Sequence, residues 1–165
     1  MKRVYLVRHA KAEDKGPDMS DFELKLTDQG KKDAGLMGKR LGSMSLKPDY
    51  VITSPAARAR ETCSLVTAEL GFPPEKIEYE EDLFDAETSG FMEVLRSIPD
   101  EHSSVMVFGH NPSISEIAAY LCPEIVEGLS KGAVAAIRIG IARWSELAKN
   151  TGQKIFLETP KTLAR

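Results

Sequence analysis

The chain has 165 residues, 42% of them hydrophobic and 28% charged, with a net charge of -3. That length and balance suit one domain with a sizeable core. The slight acidity speaks against general binding to nucleic acid or to a membrane surface, and leaves room for a local basic pocket. No stretch is long and apolar enough to form a signal-peptide core or to span a membrane. The two cysteines, Cys63 and Cys122, are isolated in the sequence. A cytoplasmic protein with reduced, packed thiols is expected.

Val4-Tyr5-Leu6-Val7 reads as a buried strand, and Arg8-His9 follows it where the strand leaves the sheet. The segment from Ala10 to Asp18 is polar and punctuated by Gly16-Pro17, so it reads as a loop in which Lys11 is placed to attract an anion. Thr27 caps a helix that runs from Asp28 to about Ser43, with Ala34, Met37, Leu41 and Met44 facing inward. Tyr50 to Thr53 is a second strand. Ser54-Pro55 then opens a helix that carries Arg58 in its first turn and stops at Gly71. Lys76 to Tyr79 reads as a short strand, followed by the acidic run Glu80-Glu81-Asp82 and the loop Leu83-Phe84-Asp85-Ala86. A helix is expected from about Ser89 to Ile98. The surface turn after it holds His102, which reads as a solvated residue.

Ser104 to Phe108 reads as a central strand that leads into Gly109-His110. Asn111-Pro112 opens the next helix, which reaches about Leu121. Strands from Gly132 to Ile139 and from Lys154 to Leu157 close the domain, which is expected to span residues 1–158, with a mobile tail over residues 159–165. Alternating strands and helices give a three-layer α/β/α domain with a mostly parallel central sheet and an antiparallel edge.

Three strand-to-helix junctions carry the unusual residues: Arg8 and His9, Arg58, and His110. In a parallel sheet these lie at one end, where ligands of open α/β sheets bind. Two arginines and two histidines gathered there ask for an anion, and guanidinium forks match tetrahedral phosphate oxygens. A neutral histidine, its tautomer fixed by a carbonyl, can attack phosphorus, and a second, cationic one can donate to a phosphoryl oxygen. Other phosphate chemistries lack their residues. Six positions after Cys63 and Cys122 stand Glu69 and Gly128, where a cysteine phosphatase loop needs arginine. No Gly-x-x-x-x-Gly-Lys-Ser/Thr loop is present, and the three histidines are not at metal-ligand spacings.

Leu6-Val7-Arg8-His9-Ala10-Lys11-Ala12, Leu26-Thr27-x-x-Gly30, Ser54-Pro55-x-x-Arg58-Ala59-x-x-Thr62 and Gly109-His110-Asn111-Pro112 together resemble the histidine phosphatase superfamily, and most nearly its small SixA-type phosphohistidine phosphatases. The resemblance covers nearly the whole chain. It implies a phosphoglycerate mutase-like fold and a metal-independent phosphatase without cofactor. It also implies phosphorylation of His9, a phosphate pocket of Arg8, Arg58 and His110 with Asn111 and Lys11 nearby, and hydrolysis of the intermediate by water. The expected substrate is phosphohistidine on a partner protein. A small phosphorylated metabolite is the alternative, and a silent phosphate-binding module the non-enzymatic one. Ala10 replaces the superfamily's usual glycine, and Leu24 stands where SixA-type proteins carry arginine, with Lys25 as the neighbouring cation. Larger phosphatases place a glutamate general acid after the third strand. Asp85 occupies the comparable region, with Glu87 as second choice.

Overall fold

The computed structural model of the chain describes residues 1–85 and 87–163, so Ala86 and residues 164–165 of the expected tail lie outside the described residues. Six strands, β1 (Lys2–Arg8), β2 (Tyr50–Thr53), β3 (Glu78–Tyr79), β4 (Ser104–Gly109), β5 (Val134–Ile139) and β6 (Gly152–Glu158), form one sheet in the order β3-β2-β4-β1-β5-β6. β3, β2, β4 and β1 pair in parallel, whereas β5 and β6 add an antiparallel edge. Register matters more than order here. Arg8 lies opposite Gly109, and Thr53 opposite Phe108. His9, Ser54 and His110 therefore leave their strands at one level.

The central strands are apolar on both faces, as strands covered by helices on each side must be. On one face Val4, Leu6, Val105 and Val107 pack with residues of α3 (Thr88–Arg96) and α4 (Ser113–Leu121), including Phe91, Leu95, Ile114 and Ile117, and with Trp144. On the other, Tyr5, Val7, Val51, Met106 and Phe108 meet Ala34, Met37 and Leu41 of α1 (Asp28–Ser43) and Cys63 and Val66 of α2 (Ala57–Glu69). Each of the larger fully buried aliphatic or aromatic side chains contributes roughly 1.5–3 kcal/mol of transfer free energy. The expected three-layer α/β architecture is observed.

The helix caps explain both agreements and differences. Thr27 Oγ1 accepts from the Gly30 N–H at 3.0 Å, as its cap role requires. Gly30 is needed for space, because a Cβ there would sit 2.1 Å from the Lys11 carbonyl oxygen. Ser54-Pro55 does not start α2. The Ser54 hydroxyl accepts from Ala56 N–H at 3.2 Å and also bonds His110, so Ser-Pro makes a turn and the helix begins at Ala57. Asn111-Pro112 likewise forms a turn ahead of Ser113. Met44 follows the end of α1 and is 37% exposed rather than inward. Lys76 belongs to a 3-10 turn, Pro74–Lys76, which leaves β3 two residues long. The segment expected as a tail contains a single helical turn, α5 (Pro160–Leu163), and Leu163 packs on the second core cluster.

Candidate active site

At the carboxyl end of the parallel strands His9 and His110 stand with ring centroids 5.3 Å apart, both only 7% exposed. Arg58, also buried, and half-buried Arg8 belong to the same cluster, and the charges of both bear on the two histidines. The sequence expectation that these four converge is met by the register of β1, β2 and β4.

Each is held by the backbone around it. The His9 N–H bonds Gly109 O at 3.2 Å, and the Gly132 N–H reaches the carbonyls of Arg8 and His9 at 3.1 and 2.9 Å. Gly132 can do so because it adopts φ +79, and a Cβ there would also meet Pro160 at 2.8 Å. Thr62, one turn after Arg58, accepts from Ala10 N–H at 3.1 Å and donates to the Arg58 carbonyl at 2.7 Å. That hydroxyl ties the histidine loop to the arginine helix, which explains the spacing from Arg58 to Thr62.

His9 Nδ1 lies 2.8 Å from the Ala10 carbonyl, which can only accept, so the proton sits on Nδ1 and the lone pair on Nε2. Burial pushes the His9 pKa down to about 4. The Ala10 hydrogen bond opposes that shift, while Arg58, Arg8 and Lys131 reinforce it. Burial pushes His110 down to about 3, reinforced by Arg58, His9 and Arg8 and opposed by Asp21. The two rings are thus neutral at pH 7 in the protein alone. This differs from the expected cationic second histidine, because burial outweighs everything that favours its charge. A bound phosphoryl group would act in the opposite direction.

His110 Nε2 is 2.7 Å from Ser54 Oγ. The hydroxyl also accepts from Ala56, and where its own proton goes to Nε2 the ring keeps its proton on Nδ1. His110 Nδ1 and Arg8 Nε are buried nitrogens with no hydrogen-bond partner among the described residues. Buried polar nitrogens without partners are costly, so these two mark a place for a group from outside the chain. Burial also lowers the pKa of Arg8, whose Nη1 donates to Leu129 O at 3.1 Å.

A cleft of about 190 Å³ adjoins the cluster, with Asp21, Arg58, Phe84, Asp85, His110 and Asn111 among its walls. Asp85 is exposed there, in a left-handed conformation with φ 55. Asn111 lines the cleft, but its amide donates to Leu129 O at 3.2 Å and its oxygen accepts from Ser115 at 2.6 Å. It braces the carbonyl that also holds Arg8. Lys11 is exposed and is not part of this cleft; its backbone carbonyl accepts from Thr27. Glu87 is exposed at the start of α3. Leu24 is buried and Lys25 exposed, so neither supplies a charge to the cleft.

Sequence reasoning missed Asp21, whose backbone oxygen and carboxylate accept from Arg58 at 2.6 and 3.1 Å. It lies on a 3-10 turn, Asp21–Glu23, inside a loop of mixed polar residues, and no local signal separates it from its neighbours. The Thr62, Ser54 and Leu129 contacts were missed too. Only the first two lay inside a motif that could have suggested them. Among the described residues no three His, Cys, Asp or Glu side chains converge as a metal site would require.

A parallel-sheet end that gathers two neutral histidines, two arginines and unpartnered donors defines a phosphate-handling α/β enzyme. A family model of the histidine phosphatase superfamily (branch 1) matches residues 4–102, more than half of the chain. The chain belongs to that superfamily. An uncharacterized protein of Picosynechococcus is 29% identical over 97% of this chain and 98% of its own length. The mitochondrial serine/threonine-protein phosphatase Pgam5 of Drosophila yakuba is 37% identical over 76 residues, 46% of this chain. That alignment spans only 26% of the Pgam5 length. Among solved structures, the protein histidine phosphatase SixA complexed with tungstate superposes with a TM-score of 0.83 at 24% identity, covering 98% of this chain and 99% of the other. The SixA protein of Agrobacterium tumefaciens gives 0.81 at 24%, covering 96% and 98%. The fold is that of these SixA proteins. Among the described residues no helix is long and apolar enough to cross a membrane.

Proposed function

We propose that the chain hydrolyses phosphohistidine on a partner protein through a phosphohistidine intermediate at His9, without a metal ion. The observation that carries this reading is the pairing of His9 Nδ1 with the Ala10 carbonyl, which leaves a neutral Nε2 in the same cluster as Arg8 Nε and His110 Nδ1, buried nitrogens with no partner among the described residues. Nε2 attacks phosphorus. The bond from phosphorus to the leaving nitrogen breaks, and that nitrogen keeps the electron pair and takes up a proton. Arg8, Arg58 and the His110 Nδ1–H stabilise the equatorial oxygens, the main source of rate in phosphoryl transfer. Water then attacks the intermediate, the phosphorus–Nε2 bond breaks, inorganic phosphate leaves and His9 regains its lone pair. Tungstate, a tetrahedral oxyanion, is bound by the SixA protein of like fold, in keeping with such a pocket.

Imidazole leaves phosphorus readily once protonated, so this substrate makes modest demands on a general acid. Asp85, exposed on the cleft wall, is the candidate donor where the leaving group is an alkoxide. Its presence supports the second reading, a phosphomonoesterase. The likeness of part of the chain to a serine/threonine-protein phosphatase supports it as well. Measuring kcat/KM on a phosphohistidine peptide and on a small phosphomonoester, with and without EDTA, separates the two. The peptide should be the better substrate, and EDTA should change neither rate. Asp85→Asn should lower ester hydrolysis by about 10²–10⁴-fold and phosphohistidine hydrolysis far less. Efficient ester turnover with negligible peptide turnover would replace the first reading by the second. Loss of activity on chelation, restored by a divalent ion, would overturn the metal-free route.

A further inference from the structure

The cleft beside the phosphate pocket has an unbalanced charge. Two carboxylates, Asp21 and Asp85, face it, and among the described residues no lysine lines it. Its one arginine, Arg58, is already paired with Asp21 through the backbone oxygen and Oδ2. The rest of the lining is the rings of Phe84 and His110 together with Asn111, Pro112 and Ser113. The Phe84 ring meets His110 edge-on at 5.7 Å and Phe22, next to Asp21 in the chain, at 5.2 Å. Whatever group leaves phosphorus into this cleft meets negative charge and ring surface. A cationic or neutral nitrogen base is attracted there by carboxylates and by the ring quadrupole. A carboxylate or a second phosphate on the same molecule is repelled at short range by the same two carboxylates.

We infer that Asp21 is a specificity-determining residue that selects phosphoryl donors whose leaving group is a neutral or cationic nitrogen base and rejects phosphoesters that carry a further anionic group. The inference rests on the phosphatase reading above and deepens it. Asp21 also holds Arg58, and the two roles are separable because asparagine keeps the backbone oxygen and a side-chain acceptor while losing the charge. The carboxylate is about half exposed, so the substitution does not disturb the core.

The test compares kcat/KM for phosphoimidazole and for 3-phosphoglycerate in wild type, Asp21→Asn and Asp21→Ala. Wild type should prefer phosphoimidazole, and Asp21→Asn should shift the ratio toward phosphoglycerate by about two- to fivefold, the size of one half-exposed like-charge contact removed. Asp21→Ala should shift it in the same direction. An unchanged ratio in both variants, with Asp21→Ala slower on both substrates, would make Asp21 a support for Arg58 alone and overturn the inference. A wild type that turns over neither probe would defeat the phosphatase reading. Calorimetric affinities of the same two probes would then decide Asp21 by the same ratio.

Discussion

The two ends of the central sheet are built from the same residue types and differ in what those residues are left to do. At the amino end His102 stacks on Tyr50 with ring centroids 4.5 Å apart, and its carbonyl accepts from Lys2 Nζ and Trp144 Nε1, each at 2.9 Å. Lys2 Nζ also reaches Asp100 O at 2.7 Å. Lys2 Nζ and Trp144 Nε1 both find acceptors within the chain. At the carboxyl end His110 Nδ1 and Arg8 Nε are buried without a partner among the described residues. The amino end also has the larger groove, about 590 Å³ along Arg3, Met44, Lys47, Arg138 and Phe156, against about 190 Å³ for the cleft. Volume therefore does not mark the site. What sets the carboxyl end apart is buried nitrogens without partners among the described residues, in one cluster with a tautomer-fixed histidine.

The comparison breaks most sharply by removing a histidine from each end. His9→Ala should abolish hydrolysis and keep the fold, because it removes the nucleophile from a site edge. His102→Ala should leave kcat/KM unchanged and lower stability by about 0.5–1.5 kcal/mol, the worth of a stacked ring pair. Steady-state rates and denaturant unfolding of both variants check this. Appreciable activity in His9→Ala, or inactivity in a folded His102→Ala, would reverse the roles of the two ends.

A smaller effect is expected at Ser54, whose hydroxyl lies 2.7 Å from His110 Nε2. Ser54→Ala should reduce kcat by roughly a hundredfold at most, the scale of a slightly misplaced catalytic group, while KM changes little. Ser54→Thr keeps the hydroxyl and should restore most of the rate. Equal rates for the alanine and threonine variants would remove Ser54 from the positioning scheme.

The mildest test is titration by NMR of the ring signals. His9 and His110 should remain neutral down to about pH 4 and pH 3 respectively, well below the ordinary 6.5. Because the folded values are depressed, the unfolded chain binds more protons between pH 6.5 and those values. The stability held by the two neutral rings is thus complete above about pH 6.5 and is lost as pH falls toward 4 and 3. Added vanadate should raise the His110 value, since an anion favours its charged form. Titration near 6.5 for either ring in the protein alone would mean that the cluster is solvated.

Much of this end was legible in the sequence, for physical reasons. A switch from apolar strand to Arg8-His9 and from Val107-Phe108 to Gly109-His110 is a local signal, and parallel pairing brings such signals together. The Ser-Pro and Asn-Pro pairs read as helix starts because their chemistry is that of caps. Tertiary contacts overrode that chemistry, with Ser54 drawn to His110 and Asn111 to Leu129. Asp21 was not legible at all, since a loop carboxylate acquires its meaning only when the fold sets it against Arg58. The one-turn helix Pro160–Leu163 escaped for a related reason: four residues carry too little periodicity, and Leu163 finds its partners in a core assembled from distant segments.

The central claim, that His9 becomes covalently phosphorylated, is tested most directly by rapid quenching of the wild-type enzyme during turnover, followed by mass spectrometry under neutral or alkaline conditions. One acid-labile phosphate on His9 is the predicted result. A phosphate on any other residue, or none during active turnover, would contradict it.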